Sequence, residues 1–375
     1  MAFQTNTNFE FEEDELSRYE RHLSLPEIGL KGQKLLKSSS VLCVGSGGLG
    51  SPVLLYLAGA GIGKIGIVDF DLVEKSNLHR QIIHSSSWIG QPKVNSAKNR
   101  IKKINPYCKV DTYKAILSKT NAFQIIKQYD LVCDCTDNFP TRYLINDACL
   151  ILGKPNIYGS IAGFEGHSSV FNLNSKSPNL RDFLPEPPPS ELLPTCSEGG
   201  VLGVLPGVIG LIQATEAIKV ITNNGNILSG RVLIFNALSM KFKELNIKAS
   251  KKNRGIKNLI EYSGFCFNEE VQLGENSIES ISIRDLKLLI KNKNDDFILI
   301  DVRNHDEYKL DYIKGSHLFP LQSIEDGSSI NEIKRLSKGK KIYVHCQSGK
   351  RSFKALISLR SYKIKGVNVE GGLNA

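Results

Sequence analysis

The chain has 375 residues, 41% hydrophobic and 23% charged, which is enough for two ordinary domains, and it contains no apolar run near the roughly 18–20 residues of a membrane span. Its formal net charge is +10, but the basic residues form no stripe interleaved with aromatic ones, so a nucleic-acid partner is not expected. The 8 cysteines include no C-x-x-C pair and the acidic N-terminus lacks an apolar leader, which indicates a soluble protein of a reducing compartment without a membrane partner.

The first half of the chain predicts the opening of a doubly wound parallel sheet. A β-rich run, Ser40–Val44, is followed by a glycine-rich turn, an apolar helix over residues 51–60 and a second strand over residues 65–68. Further strands are predicted at 109–113, 131–135, 156–160, 168–173 and 231–236, and further helices at 94–104, 120–128, 141–152 and 207–222.

The pattern changes twice along the rest of the chain. A proline-rich stretch over residues 175–200 predicts a long loop, and the polar stretch after residue 248 lacks periodicity. A second α/β pattern begins near residue 280, with buried-type strands at 297–302 and Lys341–His345. The sequence therefore predicts an α/β protein: a Rossmann-like doubly wound domain over residues 1–248, a linker over 249–279 and a smaller α/β domain over 280–375.

Four glycines between the first strand and the first helix form a candidate phosphate loop: Gly45, Gly47, Gly48 and Gly50. Glycines let the backbone approach an anion, and the helix N-terminus that follows offers free N–H donors. Asp69 closes the next strand, where a carboxylate can accept hydrogen bonds from ribose hydroxyls. These features alone leave NAD and a mononucleotide open.

The residues that follow favour a triphosphate. In the segment Ser76-Asn-Leu-His-Arg80 a cation lies just beyond Asp69, and Lys93 begins a predicted helix. Asp137 and Asn138 follow a predicted strand at the carboxyl edge of the sheet, where such folds bind ligands. A carboxylate beside polyphosphate indicates Mg²⁺, so the set predicts an ATP–Mg²⁺ site.

Several motifs resemble the MoeB/ThiF (HesA) family of adenylyltransferases: Arg18-Tyr-Glu-Arg-His-Leu, Leu25-Pro-Glu-x-Gly, Gly32-Gln33, Thr136-Asp-Asn-Phe-x-Thr-Arg142 and Gly199-Gly-Val-Leu-Gly-Val-Leu-Pro-Gly207. The resemblance covers residues 16–245 and implies ATP, Mg²⁺, a homodimer and a ubiquitin-like protein substrate ending in Gly-Gly. It implies that ATP is bound by Gly48, Asp69, Ser76, Asn77, Leu78, His79, Arg80, Lys93, Asp137, Asn138 and Arg21 of the partner subunit. Arg80, Lys93 and Asp137 would be catalytic, with Asp137 as the magnesium ligand.

The chain departs from the family at two places. Where the common form has its first zinc-binding C-x-x-C pair, this chain has Asn179 and Asp182, and the region expected to hold the second pair, residues 252–266, contains one cysteine only. No zinc is therefore expected, as in the cyanobacterial and plastid-type members, and plastid stroma or cytoplasm is the expected compartment. Cys196 matches a family cysteine that can link covalently to the substrate protein, and an inert buried cysteine remains the alternative.

The second domain contains the loop Val344-His-Cys346-Gln-Ser-Gly-Lys350-Arg351-Ser352, placed after a strand and before an apolar helix. Backbone N–H groups, the helix N-terminus and two neighbouring cations favour the Cys346 thiolate. Phosphatase spacing would need arginine at position 352, so a persulfide carrier is favoured. With Leu299-Ile-Asp-Val-Arg303 upstream and Gly371-Gly372 near the end, residues 280–375 resemble a rhodanese sulfurtransferase domain, in which Asp301 and Arg303 would be structural.

The two resemblances together predict an adenylyltransferase and sulfurtransferase. ATP would adenylate the C-terminal glycine of a ubiquitin-like sulfur carrier, and a Cys346 persulfide, charged by a donor such as a cysteine desulfurase, would convert it into a thiocarboxylate. The preferred carrier is the small subunit of molybdopterin synthase, in molybdenum cofactor biosynthesis, with thiamine and tRNA-thiolation carriers as alternatives. A thioester-forming ubiquitin-activating-type enzyme with a docking rhodanese and, more distantly, an NAD-dependent oxidoreductase also remain open.

Overall fold

The structure is a computed structural model that describes residues 10–186, 200–260, 262, 278–291, 296–347 and 349–374. The chain divides into two compact units, Met1–Cys266 and Phe267–Ala375, and each contains its own sheet. Both units combine parallel strands with helices, so the predicted α/β fold class is confirmed.

The first unit is built on an eight-stranded sheet with the order β3-β2-β1-β4-β5-β6-β7-β8. Its strands are β1 Ser40–Val44, β2 Lys64–Val68, β3 Lys109–Tyr113, β4 Leu131–Asp134, β5 Asn156–Ala162, β6 Glu165–Phe171, β7 Arg231–Asn236 and β8 Lys241–Asn246. Pairing is parallel from β3 to β5 and antiparallel from β5 to β8. The strand order reverses between β1 and β4, which is where open sheets of this kind bind ligands.

Helices cover both faces of this sheet. They are α1 Glu13–Arg18, α2 Glu20–Leu23, α3 Gly29–Ser38, α4 Gly50–Gly59, α5 Lys93–Ile104, α6 Ala122–Ile126, α7 Phe139–Leu152, α8 Leu180–Phe183 and α9 Leu205–Thr222. Successive β1 side chains enter opposite cores: Val41 and Cys43 pack with α4, α5 and α9, while Leu42 and Val44 pack with α6 and α7. Burial on both faces explains why β1 is continuously apolar rather than alternating.

Helix α9 is long and apolar enough, by length and composition, to cross a membrane, and 61% of it is buried within the first unit. It packs against α4, β5 and β6. Gln213 ties it to the sheet, because its Nε2 donates to the carbonyl oxygens of Asp134 at 2.8 Å and Ile157 at 3.0 Å. The apolar composition of α9 thus matches its place in the core of the first unit.

The second unit has a parallel five-stranded sheet with the order β11-β10-β12-β13-β9. Its elements are β9 Ser280–Ser282, α10 Ile283–Lys291, β10 Phe297–Asp301, α11 His305–Leu310, β11 Ser316–Leu318, α12 Leu321–Glu325, α13 Ile330–Leu336, β12 Lys341–His345, α14 Lys350–Ser361 and β13 Val367–Glu370. Ile300 and Val344 face a core with Leu356 of α14, whereas Leu299 faces α10 on the other side. Strand β12 therefore delivers Cys346 to the carboxyl edge of this sheet.

Two stretches predicted to be irregular contain ordered structure. Helix α8 lies within the predicted proline-rich loop, whose residues 187–199, including Cys196 and Gly199, lie outside the described residues. Leu259 and Tyr262, placed by the sequence in the linker, are buried in the core of the first unit, and Tyr262 Oη donates to Asp147 Oδ2 at 2.7 Å. This part of the stretch therefore packs on the first unit, and the linker boundaries stay a prediction.

Candidate active sites

A cleft opens in the first unit at the carboxyl ends of β1, β2 and β4. Eight residues from the predicted nucleotide and phosphate-loop sets line it: Gly45, Gly47, Gly48, Asp69, Arg80, Lys93, Asp137 and Asn138. The fold thus brings together a glycine loop, two cations and two carboxylates that are separated along the chain. Their functional roles stay a prediction.

The glycine loop is shaped by close backbone contacts. Gly45 has φ +92°, and a Cβ there would approach the Cys135 carbonyl oxygen to 2.7 Å. Gly50, which begins α4 and does not line the cleft, could not carry a Cβ without clashing with the Gly45 carbonyl oxygen. Glycine at these two positions is a steric requirement of the loop.

Asp69 is fixed by hydrogen bonds from both sides of the cleft. Its Oδ2 accepts from the backbone N and the hydroxyl of Ser46, both at 2.8 Å, and its Oδ1 accepts from the backbone N of Asp71 at 2.9 Å. A carboxylate has about four lone-pair positions, so Asp69 retains acceptor capacity for a ribose hydroxyl. This geometry fits the predicted ribose contact.

Arg80 and Lys93, the two predicted cations of the cleft, are held in different ways. Lys93 Nζ forms a 2.8 Å ion pair with Asp71 Oδ2, and its side chain is 7% exposed whereas that of Asp71 is 47% exposed. Arg80 donates to the Ser76 carbonyl oxygen at 3.1 Å and lies 2.8 Å from His79 Nε2. Both positive charges are therefore oriented at the cleft by the protein itself.

Four further residues of the predicted set, Ser76, Asn77, Leu78 and His79, do not line the cleft. They form the turn that carries Arg80, and this turn is closed by Asn77 Oδ1, which accepts from the Glu74 backbone N at 3.2 Å. Within this turn, only Arg80 of the predicted contacts reaches the cleft. Arg21 is exposed on α2 and does not line the cleft of its own chain.

Asp137 and Asn138 follow β4 and begin α7. Asp137 is exposed at the cleft, whereas Asn138 Oδ1 caps the helix by accepting from the Thr141 backbone N at 3.0 Å. The described residues contain no group of three or more His, Cys, Asp or Glu side chains that could hold a metal. One exposed carboxylate nevertheless fits Mg²⁺, which proteins commonly bind through one or two carboxylates and the phosphates of the substrate.

Arg142, to which the sequence motifs gave no role, also lines the cleft. Its buried guanidinium donates to the Thr136 carbonyl oxygen at 2.9 Å, the Ser160 hydroxyl at 2.5 Å and the Tyr158 hydroxyl at 3.2 Å. Beside it, burial raises the pKa of Asp134, and the Arg142 charge opposes this shift. Arg142 therefore fixes the segment that carries Asp137. Its place in the Thr136–Arg142 motif could have indicated this role from the sequence.

The positions of the family's zinc ligands form a hydrogen-bonded cluster. Asp182 Oδ1 accepts from the Ser250 backbone N and from Asn253 Nδ2, both at 2.9 Å, and Asp182 Oδ2 accepts from the Asn179 backbone N at 2.9 Å. The two residues at the positions expected for the first pair thus face Ser250 and Asn253. Two amides, one carboxylate and one hydroxyl do not fit the tetrahedral sulfur and nitrogen set of structural zinc.

In the second unit, Cys346 is buried at the end of β12. Its Sγ accepts from the Gly349 backbone N at 3.1 Å and lies 3.6 Å from the Ser352 hydroxyl, which is also 2.7 Å from Asn368 Oδ1. Gly349 has φ +85°, a backbone conformation that favours glycine. The Gly349 N–H is therefore directed at the sulfur atom, which suits a thiolate or persulfide, whereas the single hydroxyl proton of Ser352 is taken by Asn368 Oδ1.

The charges around this loop differ in part from the expectation. Arg351, expected to favour the thiolate, forms two hydrogen bonds with Glu307, at 2.7 and 2.6 Å, and this pairing lowers the pKa of Glu307. The buried Arg303 is paired with Asp301 at 2.7 Å and donates to Gln347 Oε1 at 3.2 Å. The expectation that Arg351 favours the Cys346 thiolate is therefore corrected, because Glu307 balances its charge. The Asp301–Arg303 pair supports the loop through the hydrogen bond from Arg303 to Gln347.

The sequence and fold match known proteins in both units. The ThiF family profile matches residues 19–256, and the rhodanese-like domain profile matches residues 282–375. The chain is 41% identical over 369 residues to a probable adenylyltransferase/sulfurtransferase, MoeZ, of Mycobacterium tuberculosis, covering 96% of this chain and 93% of the relative. It is 40% identical over 375 residues to a probable molybdopterin-synthase adenylyltransferase of Porphyra purpurea, with the same two coverages.

Among solved structures, E. coli MccB with MccA-N7isoASN superposes with a TM-score of 0.55 at 20% identity, over 65% of this chain and 74% of that one. A likeness at this identity concerns the fold alone.

The fold and the two sites define an enzyme that joins nucleotidyl transfer to sulfur transfer. The chain belongs to the ThiF family and carries a C-terminal rhodanese-like domain, and it is an adenylyltransferase and sulfurtransferase.

The contact between Gly50 and Gly45 predicts a selective loss of nucleotide binding. In Gly50→Ala the new Cβ displaces the Gly45 carbonyl, so we expect ATP affinity to fall by about tenfold or more and stability by roughly 1–3 kcal/mol. Gly59→Ala is the matched control, because it lies in the same helix and its Cβ meets nothing within 4 Å. Calorimetric ATP titration and thermal unfolding measure both effects, and equal behaviour of the two variants would contradict the steric argument.

The cluster around Asp182 predicts a stabilising role without metal. Asp182→Ala leaves three N–H donors without their acceptor, so we expect a loss of roughly 1–3 kcal/mol in unfolding free energy. Asp182→Asn keeps one acceptor oxygen and is expected to lie between this variant and the wild type. Chelator should not change the wild-type unfolding temperature; a large chelator effect would show that a metal holds these segments.

Proposed function

We propose that this enzyme adenylates the C-terminal glycine of a small ubiquitin-like sulfur carrier and then replaces the adenylate with sulfur carried by Cys346. The observation that carries the proposal is the cleft, where Asp69, the buried Lys93 and the exposed Asp137 converge beside the glycine loop. The same chain holds a second loop in which the Gly349 N–H donates to a cysteine sulfur. An activating site and a sulfur site in one chain suit consecutive steps on one substrate.

In the first step a carrier carboxylate oxygen attacks the α-phosphorus of ATP, and the bond to pyrophosphate breaks. The carboxylate is already ionised near pH 7, so the step needs no general base. Negative charge gathers on the phosphate oxygens, where Lys93 and Arg80 stabilise it without reorganising. Asp137 would hold Mg²⁺, which supplies further charge neutralisation to the phosphates when bound.

In the second step the outer sulfur of a Cys346 persulfide attacks the carbonyl carbon of the acyl-adenylate, and AMP leaves. A second thiol then attacks the inner sulfur of the resulting acyl disulfide, which releases the thiocarboxylate and leaves Cys346 in a disulfide. The Gly349 N–H, 3.1 Å from Sγ, is placed to stabilise negative charge on sulfur during these exchanges. The persulfide would be supplied by an upstream donor such as a cysteine desulfurase.

The preferred carrier is the small subunit of molybdopterin synthase, which places the enzyme in molybdenum cofactor biosynthesis. The name of the Porphyra purpurea relative, a probable molybdopterin-synthase adenylyltransferase, supports this choice. Carriers of thiamine synthesis and of tRNA thiolation are the alternatives. The six cysteines that the structure describes are free, which suits the reducing plastid stroma or cytoplasm.

We also propose a homodimer in which Arg21 of the partner subunit reaches the cleft. The exposure of Arg21 on α2, away from its own cleft, supports this arrangement. The proposed domains are an adenylation domain over residues 1–248 and a rhodanese domain over 280–375. Cys196 remains a candidate for a covalent link to the carrier, and zinc has no proposed role.

The function is tested by incubating the full-length protein with each candidate carrier, ATP, Mg²⁺ and a persulfide donor. ATP–pyrophosphate exchange dependent on a free Gly-Gly terminus, followed by mass-spectrometric detection of thiocarboxylate, is the expected result. A carrier thioester on Cys196 without thiocarboxylate would favour the ubiquitin-activating type of enzyme. Tight NAD binding without exchange for any carrier would overturn the proposal.

The proposed division of labour predicts opposite losses in two variants. Cys346→Ser carries a hydroxyl that stays protonated at neutral pH, so sulfurtransferase activity and thiocarboxylate formation should vanish while pyrophosphate exchange stays near the wild-type rate. Asp137→Ala removes the proposed magnesium ligand, so exchange should fall by about 10²-fold or more while thiosulfate sulfurtransferase activity persists. Each variant is the folding control of the other, and loss of both activities in one folded variant would contradict the assignment.

The proposed dimer predicts complementation between two inactive chains. Arg21→Ala and Asp137→Ala homodimers should each have weak pyrophosphate exchange, because every site lacks one group. Mixed assembly places both defects in one site and leaves the other intact, so co-expressed chains should regain exchange. Differently tagged chains purified through both tags measure this; activity no higher than in the homodimers would show that Arg21 does not act across the dimer.

A further inference from the structure

His84 is a buried side chain that lies outside the cleft lining and was given no role by the sequence motifs. Its Nε2 is 3.0 Å from the Ser46 carbonyl oxygen, and its Nδ1 is 3.0 Å from the Ser96 hydroxyl. A carbonyl oxygen can only accept, so Nε2 carries the proton and Nδ1 accepts from Ser96. Burial lowers the pKa of His84 to about 4, so the ring stays neutral at physiological pH.

The contact with Ser46 completes the fixation of the phosphate loop. Ser46 is fully buried, and its backbone N and hydroxyl both donate to Asp69. His84 binds the remaining polar group, the carbonyl oxygen, and holds it in the protein interior. A carbonyl held there is not presented to the anionic phosphates, which the loop must approach with its N–H groups.

The contact with Ser96 ties the same ring to the helix that carries Lys93. Ser96 lies three residues after Lys93 in α5, about one helical turn away. One side chain thus contacts both the phosphate loop and the helix that supplies Lys93.

We propose that His84 is a positioning residue that sets the distance between the phosphate loop and Lys93 for binding of the ATP phosphates. This inference rests on the proposed use of ATP. The physical reason is that a charged cleft accelerates phosphoryl chemistry only when its groups are placed before the substrate arrives, and displacement by about 1 Å can cost roughly 10²-fold. His84 does this without touching ATP.

The test compares three variants of the full-length protein. His84→Leu keeps an apolar volume near that of the ring and removes both hydrogen bonds, whereas His84→Gln can place an amide N–H near the position of Nε2. Ser96→Ala removes only the link to α5. Binding of a non-hydrolysable ATP analogue is measured by calorimetry, with thiosulfate sulfurtransferase activity as the internal measure of an intact second unit.

We expect His84→Leu to weaken binding of the analogue by about tenfold or more, and His84→Gln and Ser96→Ala, which each keep a bond to Ser46, to fall between His84→Leu and the wild type. A purely structural role would lower the unfolding temperature and leave the affinity of the folded protein unchanged. Wild-type affinity in folded His84→Leu, or equal losses in His84→Leu and His84→Gln, would overturn the proposal.

Two outcomes separate this inference from the function on which it rests. If the wild-type protein binds no ATP analogue at all, the proposed function fails and the inference fails with it. If the wild type binds and the variants bind equally well, only the role of His84 is overturned. Should His84→Leu not fold, Ser96→Ala decides: weakened binding supports positioning, and wild-type binding overturns it.

Discussion

The carboxylate of Asp69 joins the ends of two parallel strands, and the first active site depends on this link. It accepts from Ser46 of the loop after β1 and from Asp71 after β2, each bond between 2.8 and 2.9 Å. The sheet brings these strand ends side by side, because Val44 pairs with Val68 in the parallel register. Local hydrogen bonds then place a fixed carboxylate in the crevice that parallel sheets form at their carboxyl edge.

The sulfur site of the second unit is also built from a loop that follows a parallel strand. Cys346 follows the last residue of a central parallel strand, and the Gly349 N–H approaches the sulfur atom. In this unit the buried carboxylate is Asp301, which pairs with Arg303, and Arg303 in turn donates to Gln347 of the loop. The pairing of Arg351 with Glu307 leaves the loop's own backbone as a donor to the sulfur. In both units the candidate site therefore lies at the carboxyl ends of parallel strands.

Features of the fold and site that depend on neighbouring residues could be predicted from the sequence. Those that depend on contacts between residues far apart in the chain could not. The strand, glycine loop and helix over residues 40–60 were predictable, since periodicity and turn chemistry are local. Strand β8 was not predicted, because all six of its residues are exposed and no alternation marks it. The contact of His84 with Ser46 spans 38 residues and that of Asn253 with Asp182 spans 71, so neither pattern is visible in a short window.

The nucleotide site shows the same division. Asp69 and Asp137 were identifiable because each follows a recognisable strand, and strand ends are where such folds place ligands. The burial of Lys93 and its pairing with Asp71 were not, because they depend on how α5 packs against the sheet. Arg351 is the converse case: proximity in sequence to Cys346 suggested a role at the sulfur, but Glu307, 44 residues away, pairs with it.

The pairing of Lys93 with Asp71 shows how such a site remains stable before ATP binds. A buried ammonium without a partner would be strongly destabilising, and the 2.8 Å contact with Asp71 offsets that cost. Asp71 itself is 47% exposed, so water solvates the far side of the pair. The half-exposed carboxylate thus holds the buried ammonium at the cleft while keeping its own contact with solvent.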